Sequence, residues 1–138
     1  MERRSNWADF KAILEKYNIT KLYHFTDRAN LESIIEHGGL FSWKDCEQKE
    51  IRISKPGGSD LSRKLDSREG LQNYVRVSFT TQHPMMYIAM QEGRISNPVI
   101  LEIDPEVIYW QDTIYSNQNA TKEGSHKGST LDSFKRIH

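Results

Sequence analysis

The chain has 138 residues, 19 basic and 19 acidic side chains apart from histidine, and one cysteine, Cys46. Its length suits a single domain over residues 1–138, and its balanced charge excludes a global attraction to nucleic acid or anionic membranes. The lone cysteine excludes a disulfide framework and favours a cytoplasmic location. The polar N-terminus does not read as a signal peptide, and we expect no membrane span.

An amphipathic helix is predicted at the start of the chain. Its apolar stripe consists of residues at spacings of three and four, namely Trp7, Phe10, Ile13, Leu14 and Tyr17. Ser5 or Asn6 is available as the cap. We expect the stripe to face the core.

A strand that runs directly into a helix follows. Residues 19–25 read as the strand, on which His24 points away from its aromatic neighbours. Thr26-Asp27 then offers a hydroxyl and a carboxylate to cap a helix that ends at Gly38-Gly39. This arrangement either presents an imidazole and a hydroxyl to a ligand or is a packing unit with a half-buried histidine.

Residues 42–73 are mostly polar and are predicted as a long loop, with a short strand at 50–54 and a helical turn at 61–65. Loops of this length in compact domains are usually functional or disordered. The segment gathers five cations, which are Arg52, Lys55, Arg63, Lys64 and Arg68. It reads either as a solvated face or as a binding surface.

The second half predicts further short elements. Residues 74–80 alternate between an apolar face and a face of hydroxyls plus Arg76, which indicates a strand beside a polar cleft. Pro84 begins a short buried helix that ends at Gly93. A strand is then expected at 98–103, a turn from Asp104-Pro105 through 108, and a further strand at 109–115. A loop at 116–129 and another element from 131 follow. The fold class is therefore α+β, with a small sheet flanked by short helices.

Generic motifs leave the chemistry open. The five histidines and one cysteine lack metal-ligand spacing, so we expect no metal site. The sequence contains no Walker or dinucleotide-binding glycine loop and no Gly-x-Ser-x-Gly nucleophile turn.

Four short motifs nevertheless follow one another in a specific order. The first is Tyr23-His24-Phe25-Thr26, followed by Asn30-Leu31-x-Ser33-Ile34 and Gly38-Gly39-Leu40. The others are Asn73-Tyr74-Val75-Arg76-Val77-Ser78-Phe79, His83-Pro84-Met85-Met86-Tyr87, and Asn117-Gln118-Asn119-Ala120-Thr121. In this order they resemble the DarT family of bacterial toxins, which use NAD to ADP-ribosylate single-stranded DNA. The resemblance implies an ADP-ribosyltransferase-like fold with a small split sheet, NAD as substrate, and a macrodomain-type antitoxin as a partner.

The resemblance also implies roles for individual residues. The expected NAD contacts are His24, Thr26, Asn30, Arg52, Tyr74 and Ser78. The expected catalytic arginine is Arg63, and the expected nucleic-acid contacts are His83, Asn119 and Thr121. A neutral imidazole and a hydroxyl can hold a ribose and an amide by hydrogen bonds, and guanidinium groups suit phosphate oxygens.

The sequence departs from the family pattern at the catalytic glutamate. By the resemblance, this residue follows the Asn-Ala-Thr loop on a strand, and the 138 residues end before such a strand. Glu102 lies on an earlier strand and is not assigned the role. We therefore expect a truncated transferase domain with weak or no activity. The alternatives are an NAD-dependent RNA 2′-phosphotransferase and a non-catalytic module that binds nucleotide or nucleic acid.

Overall fold

A computed structural model of the chain describes residues 2–49, 74–116, 127–129 and 131–135. The described helices are α1 (Trp7–Lys16), α2 (Leu31–Glu36), α3 (Trp43–Gln48), α4 (Pro84–Gln91) and α5 (Leu131–Lys135). The described strands are β1 (Leu22–Asp27), β2 (Pro98–Ile103), β3 (Tyr115–Ser116) and β4 (Lys127–Gly128). This mixture of helices and short strands is the α+β class expected from the sequence.

The chain divides into two compact units. Unit 1 comprises Met1–Leu22 and Asp104–His138, and unit 2 comprises Tyr23–Ile103. Strands β3 and β4 pair antiparallel, with Tyr115 opposite Gly128, while β1 pairs with β2.

Unit 1 is built around three aromatic rings. The fully buried Phe10 ring lies 5.5 Å from Tyr115 and 5.2 Å from Phe134, measured between ring centroids. The Arg4 guanidinium lies 5.2 Å from the Phe10 centroid and 5.2 Å from the Tyr115 centroid. It also donates hydrogen bonds to the Thr113 carbonyl at 2.6 Å and to the Ser129 carbonyl. Burial raises the pKa of Tyr115, and the neighbouring Arg4 charge opposes that rise.

Helix α1 confirms the first predicted helix. Asn6 occupies its N-cap position, without a side-chain cap hydrogen bond among the described residues. Phe10 and Leu14 of the predicted stripe are buried, as expected, whereas Tyr17 at the C-cap is 64% exposed. Asn18 follows with a φ of 54°, a left-handed conformation that ends the helix.

The strand predicted at 109–115 is wrong for most of its length. The turn predicted to begin at Asp104-Pro105 is confirmed as a 3₁₀ turn over Pro105–Tyr109, which takes up the first residue of the predicted strand. The Asp104 carboxylate caps this turn by accepting a hydrogen bond of 2.9 Å from the Glu106 N–H. Only Tyr115–Ser116 forms a strand, and its partner Lys127–Gly128 lies within the predicted loop. The element expected from residue 131 is helix α5.

In unit 2, the strand predicted at 74–80 is reduced to one bridge, in which Ser78 and Tyr23 exchange backbone hydrogen bonds of 2.7 and 2.8 Å. The Ser78 hydroxyl accepts from the Thr80 N–H and the Thr80 hydroxyl from the Gln82 N–H, both at 3.1 Å. These local bonds turn the chain and compete with an extended ladder. The expected apolar face is consequently not buried, since the Val77 and Phe79 side chains are exposed.

Helix α3 lies inside the segment predicted as a loop. The Ser42 hydroxyl accepts a hydrogen bond of 3.1 Å from the Asp45 N–H, which caps the helix. The pattern Ser42-x-x-Asp45 resembles a capping box, a helix-start signal that the polar composition concealed. The rest of the predicted loop, residues 50–73, lies outside the described residues.

Helices α2 and α4 were both predicted. Gly38, with a φ of 76°, ends α2, and the Gly39 N–H donates to the Ile34 carbonyl at 3.0 Å. Helix α4 begins at Pro84, as expected, but fewer of its side chains are buried than predicted. Met86 and Ala89 are buried, whereas the neighbouring side chains, Tyr87, Ile88 and Met90, are exposed.

Candidate functional site on strand β1

His24, in the middle of β1, is held by a backbone hydrogen bond. Its Nδ1 lies 2.7 Å from the Arg76 carbonyl oxygen, so Nδ1 carries the hydrogen and donates it. Burial lowers the pKa of His24, and the bond to Arg76 opposes that shift in part. A neutral ring in this tautomer keeps an acceptor lone pair on Nε2. The imidazole can therefore accept a hydrogen bond from a ligand hydroxyl or amide.

Thr26 and Asn30, also expected to contact NAD, lie close to each other. The Asn30 amide nitrogen donates to the Thr26 hydroxyl at 3.1 Å, and both side chains are buried. This bond ties the end of β1 to the 3₁₀ turn at Arg28–Asn30. A direct contact of these two residues with NAD stays a prediction.

Asp27 anchors the end of β1 that carries these groups. Its side chain is 1% exposed, and one carboxylate oxygen accepts the Ala29 N–H at 2.9 Å. The other oxygen accepts the N–H groups of Ser96 and Asn97 at 2.8 and 3.1 Å. The sequence indicated the cap at Ala29, but it carried no signal for the bonds to residues about 70 positions away in the chain.

A pocket lies beside β1 in unit 2. Its apolar lining consists of Tyr23, Phe25 and Ile100, and its polar lining consists of Ser78, Thr80, Thr81 and His83. His24 does not belong to this described lining, as expected for a strand whose successive side chains alternate between faces. Ser78, an expected NAD contact, thus lies with His83, an expected nucleic-acid contact.

His83 is fixed as the N-cap of α4. Its Nδ1 accepts a hydrogen bond of 3.1 Å from the Met85 N–H, so the hydrogen of the neutral ring lies on Nε2. Burial lowers the pKa of His83, and the Arg76 charge lowers it further. The Phe25 and His83 rings are tilted, with centroids 5.8 Å apart. His24 and His83 are therefore opposite tautomers, the first offering an acceptor at Nε2 and the second a donor.

The remaining predicted site residues are placed as follows. Tyr74 is described and partly exposed, but it does not lie on a strand. Four predicted residues lie outside the described part of the chain, namely Arg52, Arg63, Asn119 and Thr121. Their roles stay predictions. Five residues line the pocket without having been selected as site residues from the sequence, namely Tyr23, Phe25, Thr80, Thr81 and Ile100.

Two searches of the described residues concern metals and membranes. No group of three or more histidine, cysteine, aspartate or glutamate side chains is arranged there to hold a metal ion. Among the described helices, none combines the length and apolar character that a membrane crossing requires.

Comparison with known proteins gives one match. The family model described as "ssDNA thymidine ADP-ribosyltransferase, DarT" matches residues 23–138. Curated proteins and solved structures, compared in the same way, yielded no match. The matched region contains all of unit 2, and therefore His24, the pocket and His83, whereas α1 precedes it. The chain belongs to the DarT family of NAD-dependent ADP-ribosyltransferase toxins that modify single-stranded DNA.

Proposed function

We propose that this chain binds NAD beside β1 and transfers its ADP-ribose to thymidine in single-stranded DNA, on an ADP-ribosyltransferase-like fold. The observation that carries the proposal is the neutral His24 ring, fixed by its bond to the Arg76 carbonyl within the matched region. An imidazole held in one tautomer and partly desolvated is suited to orient a ribose hydroxyl.

The proposed reaction is a displacement at the anomeric carbon of the nicotinamide ribose. In thymidine, N1 carries the deoxyribose, so N3 is the ring nitrogen that can attack. As the N3–carbon bond forms, the bond to nicotinamide breaks, and its electron pair leaves with neutral nicotinamide. The N3 proton passes to a base or to water. The transition state resembles an oxocarbenium ion, which nearby negative charge stabilises. The attacking base must be unstacked, which favours single strands.

In this proposal, His24 accepts a hydrogen bond from NAD at Nε2. Thr26 and Asn30 are proposed as further contacts at the same end of β1, with Tyr74 and Ser78 on the neighbouring segment. Arg63 is proposed to steady the phosphates or the ribosyl cation, and Arg52 is the second candidate. The assignments of His24, Thr26, Asn30, Tyr74 and Ser78 are supported by their positions in the motifs of the family. Arg63 and Arg52 lie outside those motifs and are chosen because guanidinium groups suit phosphate oxygens.

Calorimetric titration with NAD tests the cofactor contact. We expect the wild-type chain to bind NAD and His24→Ala to bind it about tenfold more weakly, the loss typical of one hydrogen bond. The matched control is His37→Ala, which removes an exposed histidine at the end of α2 and should leave the affinity unchanged. A wild-type chain that binds no NAD, or equal affinities for the wild type and His24→Ala, would remove His24 from the site.

Mass spectrometry tests the transfer itself. The chain is incubated with NAD and a thymidine-containing oligonucleotide, and a second oligonucleotide without thymidine serves as the control. In keeping with the weak activity expected above, we expect a small fraction of the first to gain the mass of ADP-ribose and the second to stay unchanged. The non-catalytic alternative is favoured if NAD and DNA both bind and neither oligonucleotide gains mass.

We further propose a bacterial cytoplasmic setting in which a macrodomain-type antitoxin opposes this chain. The proposal is supported by the family's toxin character and by the single cysteine. Incubating the modified oligonucleotide with a macrodomain hydrolase should restore the unmodified mass. An adduct that persists would count against this pairing.

A further inference from the structure

The 3₁₀ turn that follows β1 is fixed by the buried carboxylate of Asp27, whose two oxygens bind different parts of the chain. Oδ1 accepts the N–H of Ala29, inside the turn, at 2.9 Å. Oδ2 accepts the N–H groups of Ser96 and Asn97, at 2.8 and 3.1 Å. The Arg28 N–H donates in turn to the Asn97 carbonyl at 2.9 Å. The turn is therefore held both by its own cap and by the segment before β2.

The same turn carries one member of a proposed pair of NAD contacts. Asn30 is its last residue, and the Asn30 side-chain amide donates to the Thr26 hydroxyl of β1 at 3.1 Å. The two residues are 7% and 8% exposed, so little of either surface is accessible to a ligand. A small displacement of the turn would therefore change the groups that the pair presents to NAD.

We infer that Asp27 is a positioning residue for NAD binding, which acts through its bond to the Ala29 N–H by holding Asn30 against Thr26. The Asp27 oxygens are bound to backbone donors, and the residue is not assigned a direct contact with NAD. The sequence analysis gave Asp27 a role only as a cap. The inference rests on the proposed function, since it concerns how the same site is held in shape.

Two substitutions separate the cap from the bonds to the distant segment. Asp27→Ser keeps a hydroxyl that can accept the Ala29 N–H, since serine is a good N-cap. The serine side chain is too short to reach Ser96 and Asn97 as well, so their N–H groups lose an acceptor. Asp27→Asn keeps one carbonyl oxygen, which satisfies more donors when it faces Ser96 and Asn97. Its NH₂ group then faces the Ala29 N–H, and the cap is lost.

Calorimetric titration with NAD and urea unfolding are compared for the wild type and the two variants. We expect Asp27→Asn to bind NAD about tenfold more weakly than the wild type, and Asp27→Ser to bind it within about twofold of the wild type. Asp27→Ser should nevertheless unfold at the lower urea concentration, because it loses two hydrogen bonds and Asp27→Asn loses one. A purely structural role predicts the opposite order of affinities, since affinity would then follow stability.

NMR spectra and a control variant complete the comparison. The backbone amide resonances of Ala29 and Ser96 report which bond each variant has lost, so NAD affinity can be compared with the Ala29 bond directly. Leu14→Val shortens a buried side chain of α1 in unit 1 and also lowers stability. Its NAD affinity should equal that of the wild type.

A double-mutant cycle tests the route through Thr26. In a Thr26→Val background, which lacks the hydroxyl that Asn30 binds, Asp27→Asn should weaken NAD binding by less than about twofold. The full tenfold loss in that background would show that Asp27 does not act through Thr26, and would overturn the inference.

The remaining outcomes separate this inference from the proposed function. A folded variant that has lost the Ala29 bond and binds NAD as tightly as the wild type would overturn the inference, as would a tenfold loss in a variant that keeps the bond. Either result leaves the proposed contact of NAD with His24 intact. A wild-type chain that binds no NAD would contradict the proposed function itself, and the inference with it.

Discussion

Unit 1 and unit 2 each hold a charged side chain away from full solvent exposure, half-buried Arg4 and buried Asp27, but they do so in opposite ways. In unit 1 the Arg4 guanidinium lies against the Phe10 and Tyr115 rings and donates to carbonyls distant in sequence. In unit 2 the Asp27 carboxylate accepts backbone N–H groups from its own turn and from residues just before β2. The arginine closes an aromatic core, whereas the aspartate fixes the path of the backbone.

The aromatic side chains of the two units also differ, in how far they are exposed to solvent. Phe10, Tyr115 and Phe134 are at most 4% exposed. In unit 2, Tyr23 and Phe25 line a pocket together with hydroxyls and an imidazole, and Tyr74 and Phe79 are partly exposed. Unit 1 thus uses these three rings for packing, although Tyr17 of the same unit is exposed. Unit 2 fixes its backbone through polar groups and leaves part of its ring surface exposed.

The largest effect is expected at Asp27. Asp27→Ala leaves three backbone N–H groups without their acceptor and should lower the free energy of unfolding by about 3 kcal/mol. Urea unfolding measures this loss. Asp112→Ala removes an exposed carboxylate from unit 1 and should change stability by less than about 0.5 kcal/mol. Equal effects of the two substitutions would mean that Asp27 does not hold the backbone of unit 2.

A smaller loss is expected from the corresponding change in unit 1. Arg4→Met keeps an apolar side chain between the rings but removes the hydrogen bonds to Thr113 and Ser129, which should cost about 2 kcal/mol in urea unfolding. The stability of Arg4→Lys should lie between those of the wild type and Arg4→Met, because one ammonium group cannot replace all the donors of a planar guanidinium. Lys16→Met, which removes a cation in the last turn of α1, is the control. If Arg4→Met leaves the free energy of unfolding unchanged, the rings alone hold this core.

A loss of about 1 kcal/mol is expected at the end of α2 in unit 2. Gly38→Ala forces alanine into a left-handed backbone conformation, with φ of 76°. The added Cβ itself meets no described atom within 4 Å. Gly38→Asn should cost less, because asparagine tolerates this conformation better. Thermal unfolding of the pair distinguishes backbone strain from a clash, which would penalise the larger asparagine more.

The smallest effect is a pH dependence that we assign to unit 2. The pKa of both His24 and His83 is lowered in the folded chain, mainly by burial, from an ordinary value of 6.5. As the pH falls through that value, the unfolded chain binds protons that the folded chain does not, so the free energy of unfolding should decrease. Urea unfolding midpoints measured between about pH 8 and about pH 5 give the slope of stability against pH.

Replacing the two half-buried histidines tests the assignment. His24→Asn and His83→Asn should each flatten the slope, while His37→Asn, at the exposed end of α2, should leave it unchanged. A slope that persists in the double variant of His24 and His83 would place the titrating groups elsewhere.

Local signals predicted much of unit 2. Pro84 marked the first residue of α4, Gly38 the end of α2, and the apolar residues of 98–103 the strand β2. These features depend on the conformational preferences of a few neighbouring residues, which are readable without tertiary structure. The histidine selected on β1 is also held in a defined tautomer, although its contact with NAD stays a prediction.

The predictions failed where distant or competing contacts decide the structure. The alternation of residues 74–80 indicated a strand, but the hydroxyls of Ser78 and Thr80 bind nearby N–H groups instead. The pocket could not be predicted, because it joins side chains of β1 and β2 to the segment before α4. The bonds from Asp27 to Ser96 and Asn97 likewise depend on a chain path that local patterns do not specify.

The first residues of the chain have a practical consequence for anyone who expresses this protein. Residues 2–22 precede the family match, yet the Arg4 backbone N–H donates to the Tyr109 carbonyl at 2.7 Å and the Phe10 ring packs against both Tyr115 and Phe134. A clone trimmed to the limits of the match would leave those two rings facing water and prone to aggregation. If the trimmed protein showed no activity, the cause would then be a damaged hydrophobic core and not an inactive toxin.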